Sequence, residues 1–253
     1  IALIILFLYA PIGILMVLSF NRSKTRAKWG GFTLQWYREL FQNEEILRAL
    51  FNTLLIALSS SLIATVIGTV ACIAMTGMRR RAKSVLMGAT NIPMLNADIV
   101  TGISLMLWFV HFMPLGFGSV LIAHITFNIP YVILSVMPKI RQMNISLYEA
   151  ARDLGANAVY GFFRVILPQL LSGIVSGFFM AFTMSMDDFV ITYFTKGAGV
   201  NTLSTMIYGE IRKGIKPEMY ALSTIIFATM FIILLAVNYW PEKKPAVKEE
   251  QRF

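Results

Sequence analysis

The chain has 253 residues, of which 57% are hydrophobic and 14% charged, with a mean hydropathy of +0.69. A soluble globular protein carries about a quarter charged residues, so the composition excludes that class and indicates an integral membrane protein. One cysteine, Cys72, excludes an intrachain disulfide framework and a cysteine-based metal cluster, and a net charge of +9 dispersed among the polar segments fits topology determinants and lipid headgroup contacts rather than nucleic acid.

Crossing a bilayer as a helix takes about 20 apolar residues, and about six segments meet that length. They predict an all-α fold, with 1–253 forming a single transmembrane domain. The first runs from Ile1 to about Phe20. Because it begins with the first residue, a longer native N-terminus is expected. A cleaved signal peptide is not, since no small-residue cleavage site follows Pro11-Ile12-Gly13. The first polar loop carries Trp29, Trp36 and Tyr37, aromatics suited either to an interfacial belt or to holding an alkylammonium by cation–π attraction.

The second span covers about Leu50 to Met75. Arg79, Arg80, Arg81 and Lys83 crowd the short connection after it, a cytoplasmic mark. The third span is expected as one helix from about Val85 to Phe112, with Asp98 near its middle and Pro93 removing a backbone hydrogen bond beside it. Ionisable groups at membrane depth are costly and face a bundle interior or a water-filled path. Asp98 is therefore a candidate for the substrate path, the alternative being a neutral, hydrogen-bonded structural acid. The fourth span, about Ser119 to Met137, contains His124. With His111 it lacks a nearby third ligand, so packing roles are expected and no metal site.

A charged interruption follows. Ser146 lies three residues before Glu149, the spacing of a capping box that starts a helix. Ala150, Ala151 and Leu154 favour a short helix, Gly155 suits the left-handed residue that ends it, and a second short helix is expected from about Ala156 to Ile166. Pro168 fits the first turn of the next helix. An elbow this small, 146–168, cannot bury a core of its own and is expected to pack against another protein.

The fifth span runs from Pro168 to about Phe194 and carries Asp187 and Asp188. Consecutive helical residues point about 100° apart, so one acid is expected to face a path and the other to support it, with Asp187 favoured for the path. A helix contact or interfacial cap is the alternative. Carboxylates without basic partners in the same spans imply a cationic cargo or protonation, because an anion path needs Arg or Lys at that depth. Glu210, Glu218 and the run Met206-Ile207-Tyr208 are placed in an outer loop that meets a delivering protein. The sixth span, about Tyr220 to Trp240, ends in an interfacial Tyr239-Trp240 pair and a charged tail at 241–253. No phosphate-binding G-x-x-x-x-G-K-[ST] loop occurs, so energy is expected from another subunit or an ion gradient.

The run Glu149-Ala150-Ala151, three residues, Gly155, nine residues, then Val165-Ile166-Leu167-Pro168 resembles the EAA loop of ABC importer permeases, with Val165 standing where the pattern has Ile. The resemblance extends through Ser19-Phe20-Asn21, Phe32-Thr33-Leu34-Gln35-Trp36-Tyr37, Asp98-Ile99-Val100, His124-Ile125-Thr126-Phe127 and Ser185-Met186-Asp187-Asp188 to the permease subunits of spermidine/putrescine importers. It implies a MetI-like type I importer permease in the cytoplasmic membrane of a bacterium, with the elbow and C-terminus cytoplasmic. It implies no catalytic residues and no cofactor on this chain, with ATP and Mg bound by a partner. Implied partners are a second homologous permease, two ATPase subunits and an extracytoplasmic polyamine-binding protein. Coupling would fall to Glu149, Ala150, Ala151, Asp153, Gly155, Leu167 and Pro168. The substrate path would fall to Trp36, Tyr37, Asp98 and Asp187 or Asp188. An ion-coupled secondary transporter is the rival, and it calls for inverted repeats that the sequence does not display.

Overall fold

A computed structural model of the chain describes residues 2–23, 28–214 and 216–239; Trp240 and the tail at 241–253 lie outside the described residues. The order of helices is α1 (Ala2–Ser19), α2 (Gln35–Gln42), α3 (Glu44–Thr76), α4 (Arg80–Leu95), α5 (Asp98–Phe112), α6 (Phe117–Gln142), α7 (Ile145–Asp153), α8 (Ala158–Gly161), α9 (Leu167–Asp187), α10 (Val190–Thr195), α11 (Leu203–Lys213) and α12 (Pro217–Tyr239). All six apolar segments are helical. Among the described residues three helices are long and apolar enough to cross a membrane, up to four if α4 and α5 count as one bent span.

The chain divides into two compact units, 1–44 with 210–253, and 45–209. In the first unit α12 packs on α1 and α2. The loop after α1 is organised by Asn21, whose Nδ2 donates to the Lys28 carbonyl at 3.0 Å and whose Oδ1 accepts from the Gly30 amide at 2.8 Å. Trp36 is 3% exposed, and its indole N–H donates to the Asn21 carbonyl at 2.7 Å. Tyr37 shares a 2.7 Å hydrogen bond with Ser19 and packs on Phe20. Both aromatics thus brace this loop; Trp36 presents no free ring face in this conformation, whereas Trp29 is exposed. Glu218 lies in the first turn of α12, not in an outer loop, and accepts from Asn43 at 3.1 Å. The loop placed around Met206 is helical too, as α11.

In the second unit α6 is the hub, packed against α9 and touching α4 and α10. The reason is a row of small residues. Gly173, Gly177, Ala181 and Ser185 recur every fourth residue on the buried face of α9. A Cβ on Gly173 would lie 2.7 Å from Lys139 Cγ, and one on Gly177 would lie 3.3 Å from Val132 Cα, so the backbones meet only because these side chains are absent. The adjoining core contains Ala64, Cys72, Met75, Val132, Ile133, Val136 and Met137. The other side of α3 exposes Phe51, Leu58, Leu62, Val66 and Val70. Such a stripe is an aggregation liability in water but is at home in hydrocarbon. Two hydroxyls of α3 bond back into their own helix, Thr53 to the Ala49 carbonyl and Thr65 to that of Ser61, which satisfies them without water.

Three expectations change here. The third span is two helices bent by 105° at Asn96–Ala97, so Asp98 opens α5 rather than sitting mid-helix. Pro93, inside α4, weakens the backbone just before the break. The fifth span does not reach Phe194 as one helix; α9 ends at Asp187 and a short α10 starts at Val190. The second arm of the elbow is not a separate helix. From Ala158 the chain runs through α8, a π-helical turn at Phe162–Ile166 and α9 as one helix of 30 residues ending at Asp187.

Candidate functional site

The elbow comes first. Its opening helix α7 is capped by Asn144, whose side chain accepts from the Ser146 amide at 3.1 Å, so Asn144 and not Ser146 begins the helix. Its end is a full Schellman closure. The Gly155 amide donates to the Arg152 carbonyl and the Ala156 amide to the Ala151 carbonyl, each at 3.0 Å, with Gly155 at φ +87°. The second arm starts from a second asparagine cap, Asn157, which accepts from the Tyr160 amide at 2.7 Å. Tyr148 then closes the hinge: a Cβ on Gly161 would stand 2.7 Å from its ring, so the two arms pack with no space between. Sequence reasoning missed this contact, because nothing local announces which aromatic meets which glycine.

What the elbow presents is equally specific. α7 buries no residue at all. Glu149, Ala150, Asp153, Gly155 and Pro168 are exposed, and Ala151 and Leu167 are partly so. Large apolar side chains stand out beside them, namely Ile145, Leu147, Val159, Tyr160, Phe163 and, at 90% exposure, Leu154. Exposed apolar side chains gathered beside charges are the kind of surface that marks interaction sites.

The acids form the second candidate region. Asp98 is exposed in the first turn of α5, where its charge suits the positive end of the helix dipole. One turn on, Gly102 lets α5 approach α10; a Cβ there would lie 3.0 Å from Phe194 and 3.5 Å from the Ile191 backbone. The helix that starts with Asp98 is thereby laid against the helix that follows Asp188. Asp187 and Asp188 differ sharply. Asp187 is exposed at the end of α9. Asp188 turns inward: its Oδ1 accepts from the Ile191 amide at 3.2 Å, and its Oδ2 accepts from both the amide and the hydroxyl of Thr192 at 2.8 Å. The Ser204 hydroxyl donates to the Asp188 carbonyl at 2.6 Å, tying the break to α11. Phe189 beside the pair stacks on Tyr208 at 4.4 Å and on Tyr193 at 5.4 Å.

Behind Asp188 lies buried polar structure that the sequence concealed. His124 of α6 is 1% exposed, with Nδ1 at 2.6 Å from the Ser185 hydroxyl and Nε2 at 2.8 Å from that of Thr192. Ser185 meets Ser60 of α3 at 3.1 Å, and Asn128 of α6 donates to Ser60 at 3.3 Å. The residues that meet are separated by 61 to 125 positions in sequence. The only sequence signal was the polarity of Ser60, Asn128 and His124 within otherwise apolar spans. Among the described residues no group of three or more His, Cys, Asp and Glu is placed to hold a metal.

Comparison with known proteins places this architecture. The solved chain of a bacterial ABC transporter involved in the import of the acidic polysaccharide alginate superposes with a TM-score of 0.68 at 18% identity, covering 94% of this chain and 91% of that one. A chain of the MetNI methionine ABC transporter, in an inward facing conformation, gives a TM-score of 0.56 at 17% identity over 77% of this chain and 93% of its own. At these identities the likeness shows the fold. In sequence, the Spermidine/putrescine transport system permease protein PotC of Escherichia coli (strain K12) is 36% identical over 231 residues, which is 91% of this chain and 88% of the relative. The Putrescine transport system permease protein PotI of the same strain is 34% identical over 235 residues, 90% of this chain and 84% of the relative. The profile of the binding-protein-dependent transport system inner membrane component matches residues 64–244. With an exposed elbow at 145–168 and membrane helices arranged as in ABC transporters, the chain belongs to the binding-protein-dependent transport system inner membrane component family.

Proposed function

We propose that this chain is the membrane-spanning permease subunit of an ATP-driven importer of polyamines, working beside a second homologous permease, two ATPase subunits and an extracytoplasmic polyamine-binding protein. The observation that carries the coupling half is the elbow: two short arms locked by the Schellman turn at Gly155 and the Tyr148–Gly161 contact, with no buried residue on α7. The second arm runs unbroken into α9, so a push on the elbow moves a membrane helix rather than bending a loop. Glu149, Ala150, Ala151, Asp153 and Gly155 meet the ATPase, while Leu167 and Pro168 transmit its motion. ATP and Mg bind to that partner. In this topology the elbow and the C-terminus are cytoplasmic, consistent with the Arg79–Lys83 cluster.

The cargo half is supported by the names of the sequence relatives and by the exposed carboxylates of Asp98 and Asp187, which suit a polycation in transit. A few dispersed acids bind weakly enough to release what they receive. Whether spermidine or putrescine is preferred is decided by uptake. ATP-dependent uptake of radiolabelled spermidine into vesicles holding the assembled complex, competed by putrescine and not by neutral amino acids, is the expected result. Uptake that persists without the ATPase points to the ion-coupled rival.

A further inference from the structure

The polar groups between Asn128 and Asp188 form one connected set of hydrogen bonds. At the acid end an ionised carboxylate only accepts. The Thr192 hydroxyl has one hydrogen and gives it to Asp188 Oδ2 at 2.8 Å. Its oxygen must then accept from His124 Nε2 at 2.8 Å, which assigns the hydrogen of the imidazole to Nε2. In the neutral imidazole Nδ1 is then the acceptor, 2.6 Å from the Ser185 hydroxyl. Ser185 shares a 3.1 Å hydrogen bond with Ser60, which reaches the Ala57 carbonyl at 3.3 Å and accepts from the Asn128 amide at 3.3 Å. The set therefore links Asn128, Ser60, Ser185, His124, Thr192 and Asp188. It crosses α3, α6, α9 and α10, and every member before Asp188 is buried. His124 is the only member that bridges α9 to α10, and its Nε2 also lies 3.5 Å from Asp188 Oδ2.

We propose that His124 is a positioning residue of the substrate path. It locks Asp188 into the α9–α10 break as a structural carboxylate, so that exposed Asp187 is the acid offered to a polycation. The assignment rests on the cationic-cargo reading above. It follows from two facts about one dipeptide: Asp188 already accepts three hydrogen bonds from its own chain, while its neighbour is exposed at the end of α9. A carboxylate so engaged has little left for a passing ammonium.

The test measures uptake of radiolabelled spermidine and putrescine by the complete reconstituted complex carrying substitutions at these positions. His124→Gln can keep a donor toward Thr192 and is expected within about twofold of wild type, whereas His124→Asn keeps an amide near Ser185 and loses the Thr192 arm. That loss is expected to change the apparent KM by about fivefold, the worth of one hydrogen bond, with assembly intact. Combining His124→Asn with Asp188→Asn is expected to add nothing to Asp188→Asn alone, and His124→Asn is expected to add little to Asp187→Asn, the acid through which it acts. An unchanged KM in His124→Asn, or additive losses with Asp188→Asn, overturns the inference. A wild-type complex that takes up neither polyamine overturns the cargo reading instead, so the two failures are told apart. His124→Leu removes both arms; should it fail to assemble, the Asn and Gln pair still carries the comparison.

Discussion

Gly155 holds a backbone conformation, φ +87°, that costs an L-residue with a Cβ about 1–2 kcal/mol. Nothing lies within 4 Å of where that Cβ would stand, so Gly155→Ala changes backbone strain and no packing. The expected outcome is faster hydrogen exchange at the Gly155 and Ala156 amides together with weaker co-purification of the ATPase; protection equal to wild type contradicts the account. Gly161 is the opposite case. Its backbone is ordinary but Tyr148 leaves no space, so Gly161→Val is expected to spread the arms and lower ATP-driven uptake by tenfold or so, in line with overpacking costs of about 1–3 kcal/mol. Adding Tyr148→Ala restores the space and is expected to recover most of that loss. Failure of the second substitution to rescue the first means the contact does not hold the elbow. Legibility at this scale divides by distance along the chain. Gly155 was readable because a helix end needs a left-handed residue within a few positions. The true cap, Asn144, was overlooked in favour of Ser146, since both residue types cap and only the hydrogen bond to the Ser146 amide decides between them. The engagement of Asp188 with Thr192 was local, four residues away, yet invisible while one continuous helix was expected there.

At the scale of the helix, the sequence located apolar segments well and their interruptions poorly. Pro93 flagged a weakened backbone, but a proline states no angle. The 105° bend between α4 and α5 arises at the extended residues Asn96 and Ala97, with α5 laid on α10 and α4 touching α6, pairings that no local signal encodes. The same holds at Asp188, where polar partners on α6 and α11 stabilise a break in an otherwise helical run. The α6–α9 pair offers a direct test of how the spans are held. Gly177→Leu drives a side chain into the backbone at Val132, 3.3 Å from its Cβ, and no flexible neighbour can give way. A loss of about 1–3 kcal/mol in detergent-solubilised thermal unfolding is expected, against under half that for Leu171→Ala on the exposed face of α9. Equal effects at the two positions contradict small-residue packing as the basis of the pair.

For the molecule as a whole, membrane residence, helical class and family were legible because they depend on composition and on one compact motif. The buried hydrogen-bond chain was not, because it joins residues from four helices whose adjacency is a property of the fold. Aromatic Trp36 shows how the same residue type serves another end: expected either at an interface or on a cargo path, it braces the first loop through the Asn21 carbonyl. Trp36→Phe removes that indole hydrogen bond and is expected to cost about 1 kcal/mol in thermal stability, with the KM for cargo unmoved. A shifted KM at unchanged stability returns Trp36 to the path.

The central claim is that an external ATPase, acting through the elbow, drives a polycation past the acids of this chain. The most direct measurement is uptake of radiolabelled spermidine into proteoliposomes containing both permeases, the ATPase and the binding protein, with and without ATP, in wild type and in Glu149→Arg. The account predicts saturable, ATP-dependent uptake competed by putrescine and abolished by Glu149→Arg while Asp187 is intact. Uptake driven by an ion gradient without ATP, or uptake unaffected by Glu149→Arg, contradicts it.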